Sequence, residues 1–326
     1  MSRLASVAGL GDSQTENKAG ISQPGASIRF EPPSRIEVEP LMPRERAHAL
    51  FLKLSGDLAK LPGSEPGKIL CPLCLNQFTE EAIDLPEPEL TEEHIIPGEL
   101  GGTLVTLTCK RCNNTHGSEI DAHLVQRLRS DDIITGAGSR FLKGSIEIAG
   151  MRVPTDIEWN ISKQEATTFR LRQFDPAVHD AIRKALHDGD VKTFNVNMSF
   201  DYIPLRSWVA VFRIAYLAMF RTFGYPYILS PAGGVVREII SHFENAPEQL
   251  GQIVAEVRNV SPEPTDPLQL FAVGGAVMVL ISLLADTKRY FITFMPHPEI
   301  QPDKVLDSLL AAAEISREFE NSKQPH

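Results

Sequence analysis

The sequence predicts an α+β protein, and three observations carry that expectation. All four cysteines fall into two C-x2-C pairs, Cys71/Cys74 and Cys109/Cys112, which mark a small metal-held module. Arg206–Phe223 is apolar almost all round and reads as a buried core helix. Five apolar or alternating runs read as strands: Ser145–Ile148, Arg152–Trp159, Leu268–Val273, Val277–Leu283 and Tyr290–Phe294. The cysteine module is therefore expected to be followed by a mixed α/β C-terminal domain.

In chain order, residues 1–42 read as a disordered tail, with Ser, Gly, Pro and isolated charges but no periodicity. Pro43–Leu61 reads as a helix, with Ala47, Leu50, Phe51, Leu54, Leu58 and Leu61 at helical spacing, and the linker-like Pro62–Gly67 stops it. Leu104–Leu107 reads as a short strand and Gly117–Arg129 as a helix that buries Ile120, Leu124 and Leu128. Asp175–His187 reads as a helix opened by a capping Asp175 and a proline in the first turn. Val235–Phe243 and Lys304–Phe319 read as further helices, and there are no internal repeats. The expected division is a tail at 1–42, a helix plus cysteine module at 43–135, and a C-terminal domain at 136–326. A chain of 326 residues is long enough for about two domains.

Composition sets outer limits. Hydrophobic residues make up 42% and charged residues 23%, ordinary for a globular protein, and the net charge of −10 is the wrong sign for a general nucleic-acid coat. Charge is uneven, however. Residues 76–99 hold eight acids and no Lys or Arg, whereas Lys110, Arg111, Arg127, Arg129, Arg140 and Lys143 follow. If the module binds a nucleic-acid backbone, that second stretch is where it is expected to lie. The N-terminus lacks a basic region followed by an apolar run, and four cysteines in metal-type pairs suit a reducing compartment, so a cytoplasmic protein is expected. The long uncharged stretch Pro267–Ala285 is interrupted by Gly274-Gly275 and reads as buried strands, not as a membrane span.

Each C-x2-C pair lets one tight turn present two thiolates to one ion, so Cys71, Cys74, Cys109 and Cys112 are expected to form a tetrahedral Zn2+ site. Four thiolates leave no open position, which makes this zinc structural. The 34 residues between Cys74 and Cys109 mean that something is inserted between the two halves.

The insert holds Glu92-Glu93-His94-Ile95-Ile96-Pro97 and Gly101-Gly102, and Cys109-Lys110-Arg111-Cys112-Asn113-Asn114-Thr115-His116-Gly117 follows. The whole string, CPLC…EEHIIP…LGG…LTCKRCNN…G, resembles the HNH endonucleases, in the branch whose cysteine pairs flank a ββα-metal core. The resemblance covers about Cys71–Leu128. It implies that His94 is the general base and that Glu93 and Asn113 hold a catalytic divalent cation, Mg2+ or Mn2+. It also implies nucleic acid as substrate, double-stranded DNA first, and a 5′-phosphate product. Cutting both strands with one-metal modules needs two copies, so a homodimer is expected.

The resemblance has one gap. The family's middle Asn belongs near Leu104, where this chain has Gly101-Gly102-Thr103-Leu104; Thr103 is a candidate to steady the loop instead. His116, three residues after Asn113, is a third ligand, a phosphate contact or a surface cap. Asn114 reads as a turn residue, and Asp121 and His123 as helix surface. Arg206, Arg213 and Arg221 form one helical stripe that either binds phosphate or, on the stronger reading, is a paired structural face. His179, His187, His242 and His297 are scattered, and Gly233-Gly234 and Gly274-Gly275 lack the flanking pattern of a phosphate loop. The leading expectation is a metal-dependent endonuclease of restriction or phage-defence type, regulated through its C-terminal domain by a small molecule or protein. The alternative is a non-catalytic, zinc-stabilised module that binds nucleic acid or protein.

Overall fold

The computed structural model describes residues 43–135, 141–148, 151–160, 165–171, 175–188, 195–198, 202–257, 260 and 262–321. The expected tail at 1–42 lies outside them, as does Arg140. The described chain is α+β. It divides into two compact units, one of residues 43–124, 204–284 and 288–321, the other of 125–203 and 285–287. These units are not the contiguous blocks 43–135 and 136–326 expected from the sequence.

The larger unit opens with α1 (Pro43–Leu58), one turn shorter than expected because the chain leaves the helix ahead of Pro62. Ala47 and Phe51 of α1 join a core with Ile69, Ala82, Ile83, Leu90 and Leu107. Two small antiparallel hairpins follow: β1 (Lys68–Leu70) with β2 (Gln77–Thr79), and β3 (Leu90–His94) with β4 (Val105–Cys109). In the second hairpin, Glu93 lies opposite Thr106 and His94 opposite Val105. The helix after Cys109 is continuous but changes pitch. It runs as α2 (Lys110–His116), a π turn over Gly117–Asp121, and α3 (Ala122–Ile134). Ile120, Leu124 and Leu128 are fully buried, as their spacing predicts.

The smaller unit takes most of α3 and a four-stranded antiparallel sheet of β5 (Phe141–Ile148), β6 (Met151–Asn160), β7 (Glu165–Leu171) and β8 (Asn195–Met198), in the order β7-β6-β5-β8. Helix α4 (Pro176–His187) belongs here too, and its Asp175 cap accepts the Ala177 N–H at 2.9 Å. Asp132 of α3 accepts the N–H groups of Asp286 and Thr287, which is how the 285–287 turn joins this unit.

The chain returns to the larger unit at α5 (Pro204–Phe223), followed by α6 (Tyr225–Ile228), α7 (Pro231–Ser241) and α8 (Leu250–Ile253). A second antiparallel sheet has the order β10-β11-β12-β9, built from β9 (Ala255–Val257), β10 (Leu268–Val273), β11 (Ala276–Leu284) and β12 (Lys288–Pro296). Helix α9 (Val305–Asn321) packs on β12. The Pro267–Ala285 stretch thus forms a β-hairpin whose two-residue loop, Gly274-Gly275, has φ of 53° and 81°. That is the left-handed pair a type I′ turn requires. Among the described residues no helix is long and apolar enough to cross a membrane.

Helix α5 is a core helix, as its composition predicts, but the core is not that of a separate C-terminal domain. Its residues from Val209 to Phe220 are buried inside the unit that holds the cysteine module. An all-round apolar helix needs cover on every face, and part of that cover here comes from the Gly117–Asp121 turn.

Candidate functional site

The four cysteine sulfurs lie within 4.8 Å of one another. The Cys74 and Cys109 sulfurs are 3.7 Å apart, close to the ~3.8 Å edge of a tetrahedron with Zn–S bonds of about 2.3 Å. The turns that place them are bonded to the sulfurs themselves. Cys109 N–H donates to Cys71 Sγ at 3.3 Å, and Cys112 N–H to Cys109 Sγ at 3.4 Å. The first turn is tightened by Leu75 N–H to Cys71 O at 2.8 Å, which drives Leu75 to φ 59°, the one left-handed non-glycine residue described. Neighbouring sulfurs hold Cys74 far below the ordinary thiol range and Cys109 down at about 7, and push Cys71 and Cys112 above it. Four such groups at this spacing fit a soft divalent cation such as Zn2+.

Downstream chain grips this frame. Tyr216 of α5 donates its hydroxyl to Pro72 O at 2.8 Å, inside the first cysteine turn. Tyr225 OH lies 3.2 Å from both N and O of Leu70. Nothing in the C-x2-C spacing signals this support.

Side chains alternate along β3. Thr91 meets α2 and Glu93 meets α5, whereas Glu92 turns to α1. Glu92 pairs with Arg46 of α1, Oε1 to Nε at 2.7 Å. Asn113 Nδ2 donates to Thr91 Oγ1 and to Glu92 O, both at 2.9 Å. A carbonyl can only accept, so this contact fixes which way the amide points and leaves Asn113 Oδ1 for another ligand. His94, the last residue of β3, is exposed. The structure therefore brings Asn113 to the strand that carries Glu93 and His94.

Glu93 is 3% exposed. Its Oε1 accepts Arg213 Nη1 at 2.6 Å, and its Oε2 is buried with no partner among the described residues. Arg213 is wholly buried and also holds Asp121, through Nε to Oδ1 at 3.2 Å and Nη2 to Oδ2. Burial pushes the Glu93 carboxyl up to about 7, against the pull of Arg213, and raises Asp121 too. The two carboxylates outweigh the burial of Arg213 and hold its guanidinium charged. Asp121 is thus not helix surface: the π turn over Gly117–Asp121 swings it inward onto Arg213. The arginine stripe of α5 is paired at two positions, since Arg206 meets Glu119 at 2.5 Å.

His116 is 5% exposed, which removes the surface-cap reading. Burial, reinforced by Arg213, pushes its imidazole down to about 3, and its Nδ1 has no partner among the described residues. A neutral imidazole suits a ligand better than a phosphate contact. Even so, among the described His, Cys, Asp and Glu residues only the four cysteines converge as a metal cluster. Asn114 lies within α2, not in a turn.

Where the sequence lacks the family's middle Asn, the chain around Gly101-Gly102 is bonded main chain to main chain. Leu100 N–H and Gly102 N–H both donate to Pro97 O, at 2.9 and 3.2 Å, and Ile95 N–H donates to Leu104 O at 2.9 Å. A Cβ on Gly102 would sit 1.7 Å from Ile96 O. Only glycine lets the returning chain lie this close to the loop that follows His94. Thr103, the expected substitute, is exposed.

Of the basic stretch expected to meet a backbone, Lys110 lies 3.5 Å from Glu87 and Arg127 3.8 Å from Asp131. A groove of about 370 Å3 opens elsewhere, between α1, β4 and the end of α5. Lys53, Val105, Arg221 and the half-exposed Phe223 are among its lining residues, and Val105 is the strand partner of His94.

No curated protein and no solved structure matches the chain. The family model described as HNH endonuclease matches residues 71–129, from the first cysteine into α3, so this segment is similar to the HNH endonucleases and carries a four-cysteine cluster that fits a zinc-binding pair of C-x2-C turns.

Proposed function

We propose that the protein is a metal-dependent endonuclease that hydrolyses phosphodiester bonds in double-stranded DNA. The observation that carries this reading is the Asn113 amide, locked by Thr91 and Glu92 with Oδ1 left over, beside a strand that ends in an exposed His94. His94 takes the proton of the attacking water. The water oxygen bonds to phosphorus as the bond to the 3′ oxygen breaks; that oxygen leaves as an oxyanion and takes a proton from solvent water, giving 5′-phosphate and 3′-hydroxyl ends. The orphaned Glu93 Oε2 and the open Asn113 Oδ1 fit a hard divalent cation, Mg2+ or Mn2+. Such an ion would neutralise charge on the scissile phosphate and the leaving oxygen. Zn2+ on the four cysteines is structural.

The groove on the His94 side is the path we assign to the nucleic-acid strand. Lys53 and Arg221 supply cations for phosphate.

The test is plasmid nicking by zinc-loaded protein with Mg2+ or Mn2+, compared with His94→Ala. The expected loss is about 10²–10⁴-fold; unchanged nicking overturns the assignment of His94. One observation favours the competing reading of a non-catalytic binding module: Glu93 is engaged by Arg213. That reading predicts binding of DNA without cleavage by the wild-type protein.

A further inference from the structure

We infer that Arg213, on a helix outside the matched segment, positions Glu93 for a divalent cation by taking one carboxylate oxygen and leaving the other, Oε2, for the metal. The inference rests on the nuclease reading above and adds to it a residue that the family match does not cover.

Geometry comes first. Arg213 Nη1 meets Glu93 Oε1 at 2.6 Å, while Nε and Nη2 take the two oxygens of Asp121. A planar guanidinium held at three nitrogens has no freedom to swing, so it fixes the rotation of the Glu93 carboxylate. The helix beneath it is fixed as well. Tyr216, three residues along the same face of α5, is bonded to Pro72 in the first cysteine turn. One face of one helix therefore holds both the zinc frame and the candidate metal-binding acid.

Charge counting comes second. Two carboxylates against one guanidinium leave the buried cluster one positive charge short when both acids are ionised. The oxygen that carries the shortfall is identifiable, because Glu93 Oε2 is buried and has no partner among the described residues, whereas both Asp121 oxygens are bonded. A purely structural ion cluster would be expected to satisfy that oxygen, since a buried unpaired acceptor is costly. A hard cation completed by Asn113 Oδ1, water and substrate phosphate supplies what is missing.

Arg213→Lys keeps the charge and loses the fork, so it isolates positioning from electrostatics. The readout is Mn2+ binding to the full-length, zinc-loaded chain by calorimetry, with zinc content and the melting transition measured on the same sample. The expected result is Mn2+ affinity lower by about tenfold or more, the range for losing a partner that orients a metal ligand, with one zinc retained. Unchanged Mn2+ affinity in folded Arg213→Lys overturns the inference. Asp121→Asn is measured alongside, because it keeps the shape but loosens the grip on Arg213 and removes the residual charge. It is expected to weaken Mn2+ binding by a smaller factor, and if Arg213→Lys does not fold, unchanged affinity in Asp121→Asn overturns the inference in its place. The two readings fail separately. Nicking lost in His94→Ala with Mn2+ binding intact in Arg213→Lys removes the role of Arg213 alone. Nicking retained in His94→Ala removes the assignment of His94.

Discussion

Two buried polar centres lie in the same compact unit, and they meet the cost of burial by opposite means. The cysteine centre is built entirely of groups that become anions, and needs a cation from outside. The Glu93–Arg213–Asp121 centre carries its own cation and, with both acids ionised, still falls one charge short. The first is assembled by two local turns. The second joins residues 120 and 92 positions apart along the chain. A centre made by local turns can be read from spacing, whereas one made by distant partners waits for the fold.

The largest effect that would break the comparison is loss of the outside cation. Chelation or Cys112→Ser is expected to forfeit on the order of 10 kcal/mol of metal-binding energy. Zinc analysis and thermal unfolding should show both the metal and the cooperative transition lost together. A melting curve unmoved by zinc removal would mean that the frame does not depend on the ion.

The built-in cation comes next. Arg213→Met leaves Glu93 and Asp121 buried without a counter-charge and is expected to cost about 3–5 kcal/mol in denaturant unfolding. Replacing all three residues with apolar ones of similar size should recover most of that loss but not Mn2+ binding. Recovery of both would reduce the cluster to packing.

The loop after His94 joins β3 to β4, the two strands that flank both centres. Gly102→Ala would place a Cβ 1.7 Å from Ile96 O, and relieving that overlap is expected to cost roughly 3 kcal/mol as well as nicking activity. Gly101→Ala, at φ 80°, should cost about 1–2 kcal/mol for its left-handed backbone. Equal costs would show that the close approach at Gly102 is relaxed easily.

His116 feels both centres, pushed down by Arg213 and up by Cys74 on top of the larger effect of burial. Its folded value of about 3 lies below the ordinary value of 6.5, so the unfolded chain binds the extra proton as pH falls. Stability from this group is therefore complete above about pH 6.5 and declines toward pH 3. At pH 5 the loss should be about 2 kcal/mol. His116→Asn removes that component, so the wild-type and variant stability curves should converge on acidification. Parallel curves would show that His116 titrates normally.

Much of the site was legible before the fold. The cysteine pairs, the Glu93-His94 dipeptide and Asn113 each stand in a short motif whose parts act over a few residues. The apolar wrap of α5, the Asp175 cap and the Gly274-Gly275 turn were legible for the same reason. The strands β1, β2 and β9 were not, because runs of three residues have no measurable period. Nor was β3, whose alternation is masked by two consecutive acids. Arg206, Arg213 and Arg221 show helical spacing, but spacing reveals a shared stripe and not what covers it.

By itself the sequence determined that this chain carries a four-cysteine frame with an acid, a histidine and an amide inserted in nuclease order, since those signals are covalently close. Only the tertiary structure decided that α5 belongs to that same unit, that Arg213 takes one oxygen of Glu93, that Asp121 and His116 are buried, and that Gly102 lies against the backbone of Ile96. Each of those outcomes depends on the free energy of burying a polar group. That energy is set by which distant residue arrives beside it.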